Sequence, residues 1–147
     1  MDVLVDTGVL LRLVIPSDPG HLDARRAIKL LRRRGDKLVT LTQNASEFWN
    51  VCTRPVSVRG GYGLSVEDTA GQLRLIERLI QVRPDSDEVF REWKRLVVAH
   101  SVRGVKAHDA RLVAAMIVHG IAQLVTANPA DFKRYSEITP ITPSDVT

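Results

Sequence analysis

The sequence predicts an α/β chain with a central, mainly parallel sheet of four to five strands, covered by helices on both faces. Two observations carry this. Short β-branched apolar runs alternate with longer segments of helical periodicity, the pattern of a parallel sheet with crossover helices. At 147 residues, with 44% hydrophobic and 26% charged residues, the chain suits one domain, residues 1–147, around a single sizeable core.

The elements follow in order. Residues 2–5 read as a first strand, and Asp6-Thr7-Gly8 ends it in a tight turn. Pro16–Gly20 has loop chemistry. Residues 22–34 place Leu22, Ala27, Leu30 and Leu31 at helical spacing, and Gly35 closes that helix. Lys37–Leu41 is a second strand. Asn44–Thr53 is a helix stopped by Arg54-Pro55, and Gly60–Gly63 reads as a mobile loop. Residues 66–82 and 86–100 read as two helices, and 107–119 as another that Gly120 ends. Ala122–Thr126 is a strand, Pro129–Arg134 a short helical segment, and Ile138–Ile141 a last strand.

The net charge of +4 permits a polyanionic partner without demanding one. Cys52 is the only cysteine, so no intramolecular disulfide can form; this suits a reducing, cytoplasmic setting, with Cys52 packed in a core. No signal peptide is legible and no apolar run approaches membrane-spanning length. The Gly60–Gly63 loop lacks phosphate-cradle spacing.

Chemistry concentrates in the acids. Asp6 lies where a buried strand runs out, the edge at which open α/β sheets bind ligands. It could also cap the helix that follows. Glu47 sits three residues after Asn44, a capping-box spacing with Asn44 as N-cap and Glu47 reaching back. Asp109 could cap its helix, yet shares a face with Leu112, Val113 and Met116. Asn128 and Asp131 again have capping spacing around Pro129. Each has a plain structural reading. Together they place an acid just beyond three strands, with Asp109 joining them, and clustered carboxylates repel. A divalent cation removes that conflict, and an oxygen-only donor set points to Mg²⁺ or Mn²⁺.

Four motifs carry a resemblance: Val3-Leu4-Val5-Asp6-Thr7, Asn44-Ala45-Ser46-Glu47-Phe48, His108-Asp109-Ala110-Arg111-Leu112, and Thr126-Ala127-Asn128-Pro129-Ala130-Asp131-Phe132. In this order the chain resembles the PIN-domain ribonucleases, and among them the VapC-type toxins of VapBC toxin–antitoxin pairs. His21–Ala24, Arg54-Pro55 and Gly60–Ser65 are similar too. The resemblance implies a Rossmann-like three-layer α/β/α fold and a Mg²⁺- or Mn²⁺-dependent endoribonuclease that inhibits translation and growth. It implies catalytic roles for Asp6, Glu47, Asp109 and Asp131, a metal held by Asp6 and Asp109, and substrate-positioning roles for Thr7 and Asn128. The implied partners are an RNA substrate such as tRNA or rRNA, a small antitoxin, and a second copy in a homodimer. Asn128 departs from the family, which often has an acid there, and brings the count of metals into question.

The basic residues Arg25, Arg26, Lys29, Arg32, Arg33 and Arg34 could meet RNA phosphates, although a solvated helix face is the commoner meaning of such a run. Two other enzyme classes place an acid after a first strand. Asp6-Thr7-Gly8 is also the aspartic-protease triplet, but that all-β class pairs two triplets and this chain has one. The haloacid-dehalogenase phosphatases need a second Asp at the position of Gly8. The alternative outside enzymes is a catalytically inert PIN-type module that binds RNA or protein.

Overall fold

A computed structural model describes all 147 residues. Five strands form one sheet: β1 (Asp2–Val5), β2 (Lys37–Leu41), β3 (Gln81–Arg83), β4 (Gln123–Val125) and β5 (Thr139–Ile141). Their order is β3-β2-β1-β4-β5 and every pairing is parallel. Leu4 pairs in register with Val39 on one side and Leu124 on the other, which makes β1 the centre. An all-parallel sheet excludes the all-β protease alternative.

Six helices cover it: α1 (Thr7–Val14), α2 (His21–Arg33), α3 (Thr42–Thr53), α4 (Val66–Leu79), α5 (Asp87–Ala99) and α6 (Lys106–His119). Short 3-10 turns span Pro129–Phe132 and Pro143–Asp145. Alternation along the strands sorts side chains into two cores. Val3, Val5, Leu38 and Val125 face α1–α4 and pack with Leu10, Ala27, Leu31, Phe48 and Ile76. Leu4, Val39, Leu41 and Leu124 face the other layer and pack with Val89, Leu96, Val113 and Met116. The three-layer α/β/α architecture is therefore as the sequence implied.

Four details differ from the sequence reading. The segment 66–82 is not one helix: α4 stops at Leu79, Ile80 turns extended, and Gln81–Arg83 becomes edge strand β3. The helix after β2 starts at Thr42, not Asn44, so Leu41 is its N-cap and Asn44 sits inside the first turn. Leu22 does not join the apolar face of α2; it is 75% exposed, and Ala24, Ala27, Ile28 and Leu31 make the buried face. The fourth concerns the glycine loop, which is stitched to the end of α3. Tyr62 N–H donates to the Val51 carbonyl, Gly63 to Arg54 and Leu64 to Cys52.

Gly61 is the tightest point of that stitching. A Cβ there would lie 2.4 Å from the Arg54 carbonyl oxygen and 2.5 Å from that of Pro55, both backbone atoms. Gly61→Ala therefore forces the loop off α3. The expected loss is about 2–3 kcal/mol of unfolding free energy, from broken backbone hydrogen bonds. Chemical denaturation measures it; a change below about 0.5 kcal/mol, the usual scale for surface substitutions, would show the loop to be free.

Candidate active site

Parallel strands bring their carboxyl ends to one edge, and the helices after them begin there. At the end of β1, Asp6 is the N-cap of α1: Oδ1 accepts from the Thr7 backbone N–H at 2.8 Å. Its other oxygen, Oδ2, accepts from the Thr126 hydroxyl at 2.7 Å, just past β4. The helix cap of the sequence reading is present, and it leaves the second oxygen of Asp6 to reach across to the end of β4.

Glu47 does not reach back to cap its helix. One oxygen accepts from the Thr7 hydroxyl at 2.7 Å, the other from Gln43 Nε2 at 3.1 Å. Asn44 supplies the reach-back instead, accepting from Leu41 N–H at 3.1 Å. Its amide nitrogen then donates to Thr7 Oγ1 at 3.0 Å and Asp6 Oδ1 at 3.3 Å. A continuous chain therefore runs from Thr126 through Asp6, Asn44 and Thr7 to Glu47. Gln43 extends it by donating to the His108 carbonyl and accepting from Arg111, whose guanidinium lies 3.1 Å from Asp85.

Asp109 lies in the first turn of α6, which starts at Lys106, so it is within the helix and not its cap. The face it was assigned to is buried at Leu112, Val113 and Met116. Asp131 comes from the turn Pro129–Phe132 and accepts from Lys106 Nζ at 2.9 Å. That ammonium is also 3.8 Å from Asp109 Oδ2. Asn128 precedes the turn, is exposed, and its amide makes no capping bond; only its backbone N–H is used, donating to Thr126 Oγ1 at 3.2 Å.

The charges feel one another. Burial pushes the Asp6 carboxyl above its usual value against the pull of the Thr126 and Thr7 bonds, and the charges of Glu47 and Asp109 push it further. Burial also raises Asp109; nearby Lys106 opposes that, while Asp131 and Glu47 add to it. The Lys106 ammonium is held protonated chiefly by its bond to Asp131. Asp6 and Glu47 have no cationic side chain within ion-pair distance. That half of the cluster carries uncompensated negative charge.

No three acids, histidines or cysteines converge closely enough to enclose an ion as the side chains stand. In donor type and charge the set still fits a hard divalent cation: the donors are all oxygen, and Asp6 and Asp109 are raised first by burial and further by neighbouring acids, whose repulsion such an ion would offset.

Sequence reasoning missed Thr126, Gln43 and Lys106. The last two are one-turn partners of Glu47 and Asp109, at i,i+4 and i,i+3, but each lies just before the first residue of the helix that the sequence predicts. Thr126→Val removes the hydroxyl that serves Asp6 and Asn128 N–H together. It should cost about 1–3 kcal/mol and raise the Asp6 pKa further; denaturation and carboxyl titration by NMR measure the two effects.

The basic helix is partly committed to structure. Arg26 donates to the carbonyls of Pro143, Ser144 and Val146, and Arg34 to Asp36 and the Thr147 carbonyl. Arg25, Lys29, Arg32 and Arg33 remain exposed. No helix is long and apolar enough to cross a membrane.

Comparison with known proteins gives consistent results. No curated protein matches the sequence. Solved structures with the same fold include VapBC2 from Rickettsia felis bound to a promoter DNA fragment, at TM-score 0.71 and 13% identity, covering 97% of this chain and 98% of that one. VapBC-1 from nontypeable Haemophilus influenzae gives 0.67 and 15%, covering 99% and 100%. VapC20 from Mycobacterium tuberculosis, a toxin that cleaves the sarcin–ricin loop, gives 0.66 and 18%, covering 90% and 95%. At these identities the likeness concerns fold. The family model of the PIN domain matches residues 3–138, nearly the whole sequence, and this chain therefore belongs to the PIN-domain family.

Proposed function

We propose that the chain is a Mg²⁺- or Mn²⁺-dependent endoribonuclease, the toxin half of a toxin–antitoxin pair. Nucleases are what its family comprises, and structures of its fold include toxin–antitoxin complexes and an RNA-cleaving toxin. The observation that carries the reading is the edge itself: Asp6 and Glu47 brought together without a cation, with Asp109 near enough to repel both.

Asp6 and Asp109 would hold the ion, which supplies a positive charge against phosphate oxygens and a more acidic bound water. The chain's own residues do the positioning. Thr126, Thr7 and Asn44 hold the Asp6 carboxylate in one orientation. Thr7 and Gln43 fix both oxygens of Glu47, which orients the attacking water and accepts its proton. Attack forms one P–O bond and breaks another, and the leaving oxygen takes a proton. Asp131 and Lys106 form an ion pair beside Asp109. Thr7 acts here through Glu47, as a positioning residue.

The partners of this reading are a structured RNA, a small antitoxin and a second copy of the chain, with a cytoplasmic location. Exposed Arg25, Lys29, Arg32 and Arg33 suit phosphate contacts, which predicts affinity that falls steeply with salt. The test is cleavage of structured RNA by purified protein with Mn²⁺. Activity that disappears in EDTA and returns with Mn²⁺ supports the reading. Undiminished cleavage in EDTA, or none with either metal, would overturn it.

A further inference from the structure

The acid cluster is not uniform. Its inner half, Asp6 and Glu47, is served only by neutral donors: Thr126, Thr7, Asn44 and Gln43. Its outer half, Asp109 and Asp131, already holds a cation. Lys106 Nζ is 2.9 Å from Asp131 Oδ1, the usual length of a charge-assisted hydrogen bond, and 3.8 Å from Asp109 Oδ2. Two separate elements bring these groups together: Lys106 and Asp109 from the first turn of α6, Asp131 from the turn after β4. Asn128, just before that turn, is exposed and carries no charge.

We propose that Lys106 stands in for a second divalent ion: its ammonium, seated between Asp109 and Asp131, offsets one of the two charges in the outer half of the cluster, so that the chain binds one ion and not two. The proposal rests on the metal-dependent reading above and adds a count to it. A second ion at Asp109 and Asp131 would have to displace the Lys106 hydrogen bond or accept a like charge beside it. Position 128 supplies no further carboxylate. Lys106 and Asn128 act in the same direction. One supplies positive charge and the other withholds negative charge, and both lower the demand for a second ion. A lysine suits this place because its ammonium is a compact point charge on a flexible stem.

The test is a calorimetric Mn²⁺ titration of the full chain, metal-stripped, as wild type and as Lys106→Met. Wild type is expected to take up one ion. Lys106→Met, with Asp109 and Asp131 left uncompensated, is expected to take up two, and Lys106→Arg one. Lys106 is half-exposed, so its replacement leaves both cores intact. Two ions in wild type would overturn the proposal even if a variant failed to fold. A single ion in Lys106→Met would overturn it too. RNA cleavage alongside separates the two readings. Two ions bound with cleavage retained removes only the Lys106 assignment, whereas no Mn²⁺ bound and no cleavage removes the nuclease reading as well.

Discussion

Asp6→Asn is expected to abolish the proposed metal-dependent RNA cleavage and, in chelator at neutral pH, to make the protein more stable. The loss of cleavage should go well beyond the roughly 10–100-fold typical of residues that merely support a metal ligand. The gain in stability follows from what the substitution keeps. An amide oxygen can still accept from Thr7 N–H and Asn44, and the new amide nitrogen can donate to the Thr126 hydroxyl. Only the charge is removed, from a site where burial and two neighbouring acids already oppose it. The sign with pH is fixed by the raised pKa. The folded chain keeps the Asp6 proton to higher pH than the unfolded chain, whose value is near 3.8. Its favourable contribution is complete below that value and is lost as pH rises through the folded pKa. An asparagine resembles the protonated acid at every pH. The stability advantage of Asp6→Asn should therefore be present at pH 7.5 and shrink toward zero as the pH falls toward 4. Melting curves of both proteins in EDTA measure it. A variant less stable than wild type at pH 7.5 would mean that the Asp6 charge is compensated by something within the chain.

The parts of this fold legible in the sequence were those dictated by burial on both sides. Strands β1, β2 and β4 showed themselves as apolar runs because helices cover both their faces, and edge strand β5 because Ile138 and Ile141 bracket it. Strand β3 did not. Gln81-Val82-Arg83 is an edge strand with one apolar residue, and no glycine or proline separates it from the amphipathic rhythm of α4. Its pairing with β2 is a tertiary fact. Asp6, Glu47 and Asp131 were legible because each follows the end of a strand, and Asp109 because it shares a helix face with Leu112, Val113 and Met116. Their partners were not, for two reasons. Thr126 is a strand terminus whose hydroxyl could have pointed either way. Lys106 stood just outside the helix as it was read, so its one-turn spacing from Asp109 had no helix to act on. The capping motifs misled in a consistent manner. Asn44 and Asn128 were given the same role from the same spacing, and the structure separates them. α3 begins two residues early and carries Asn44 into the interior, whereas Asn128 stays at the surface.

That separation gives the second large effect: Asn44→Asp should cost about 3–5 kcal/mol at neutral pH, whereas Asn128→Asp should stay within about 0.5 kcal/mol. Asn44 is 1% exposed and works as both acceptor and donor. One oxygen of an aspartate there could still accept from Leu41 N–H. The other would face Asp6 Oδ1 across the 3.3 Å that the amide nitrogen now bridges, and two acceptors would meet where a hydrogen bond was. The Thr7 hydroxyl, which now receives the Asn44 amide, already gives its own hydrogen to Glu47 and could serve the new carboxylate only by releasing that acid. The substitution thus buries a like charge beside Asp6 and loosens Glu47 at once. Because the two facing carboxylates can share one proton, most of the loss should be recovered on mild acidification. Denaturant unfolding at pH 7.5 and pH 5 measures both the loss and its recovery. Equal destabilisation by the two substitutions would mean that Asn44 is an ordinary surface cap. A large loss at Asn44 that acid does not relieve would mean that the lost donors outweigh the repulsion, and that the edge is held by its hydrogen bonds more than it is strained by its charges.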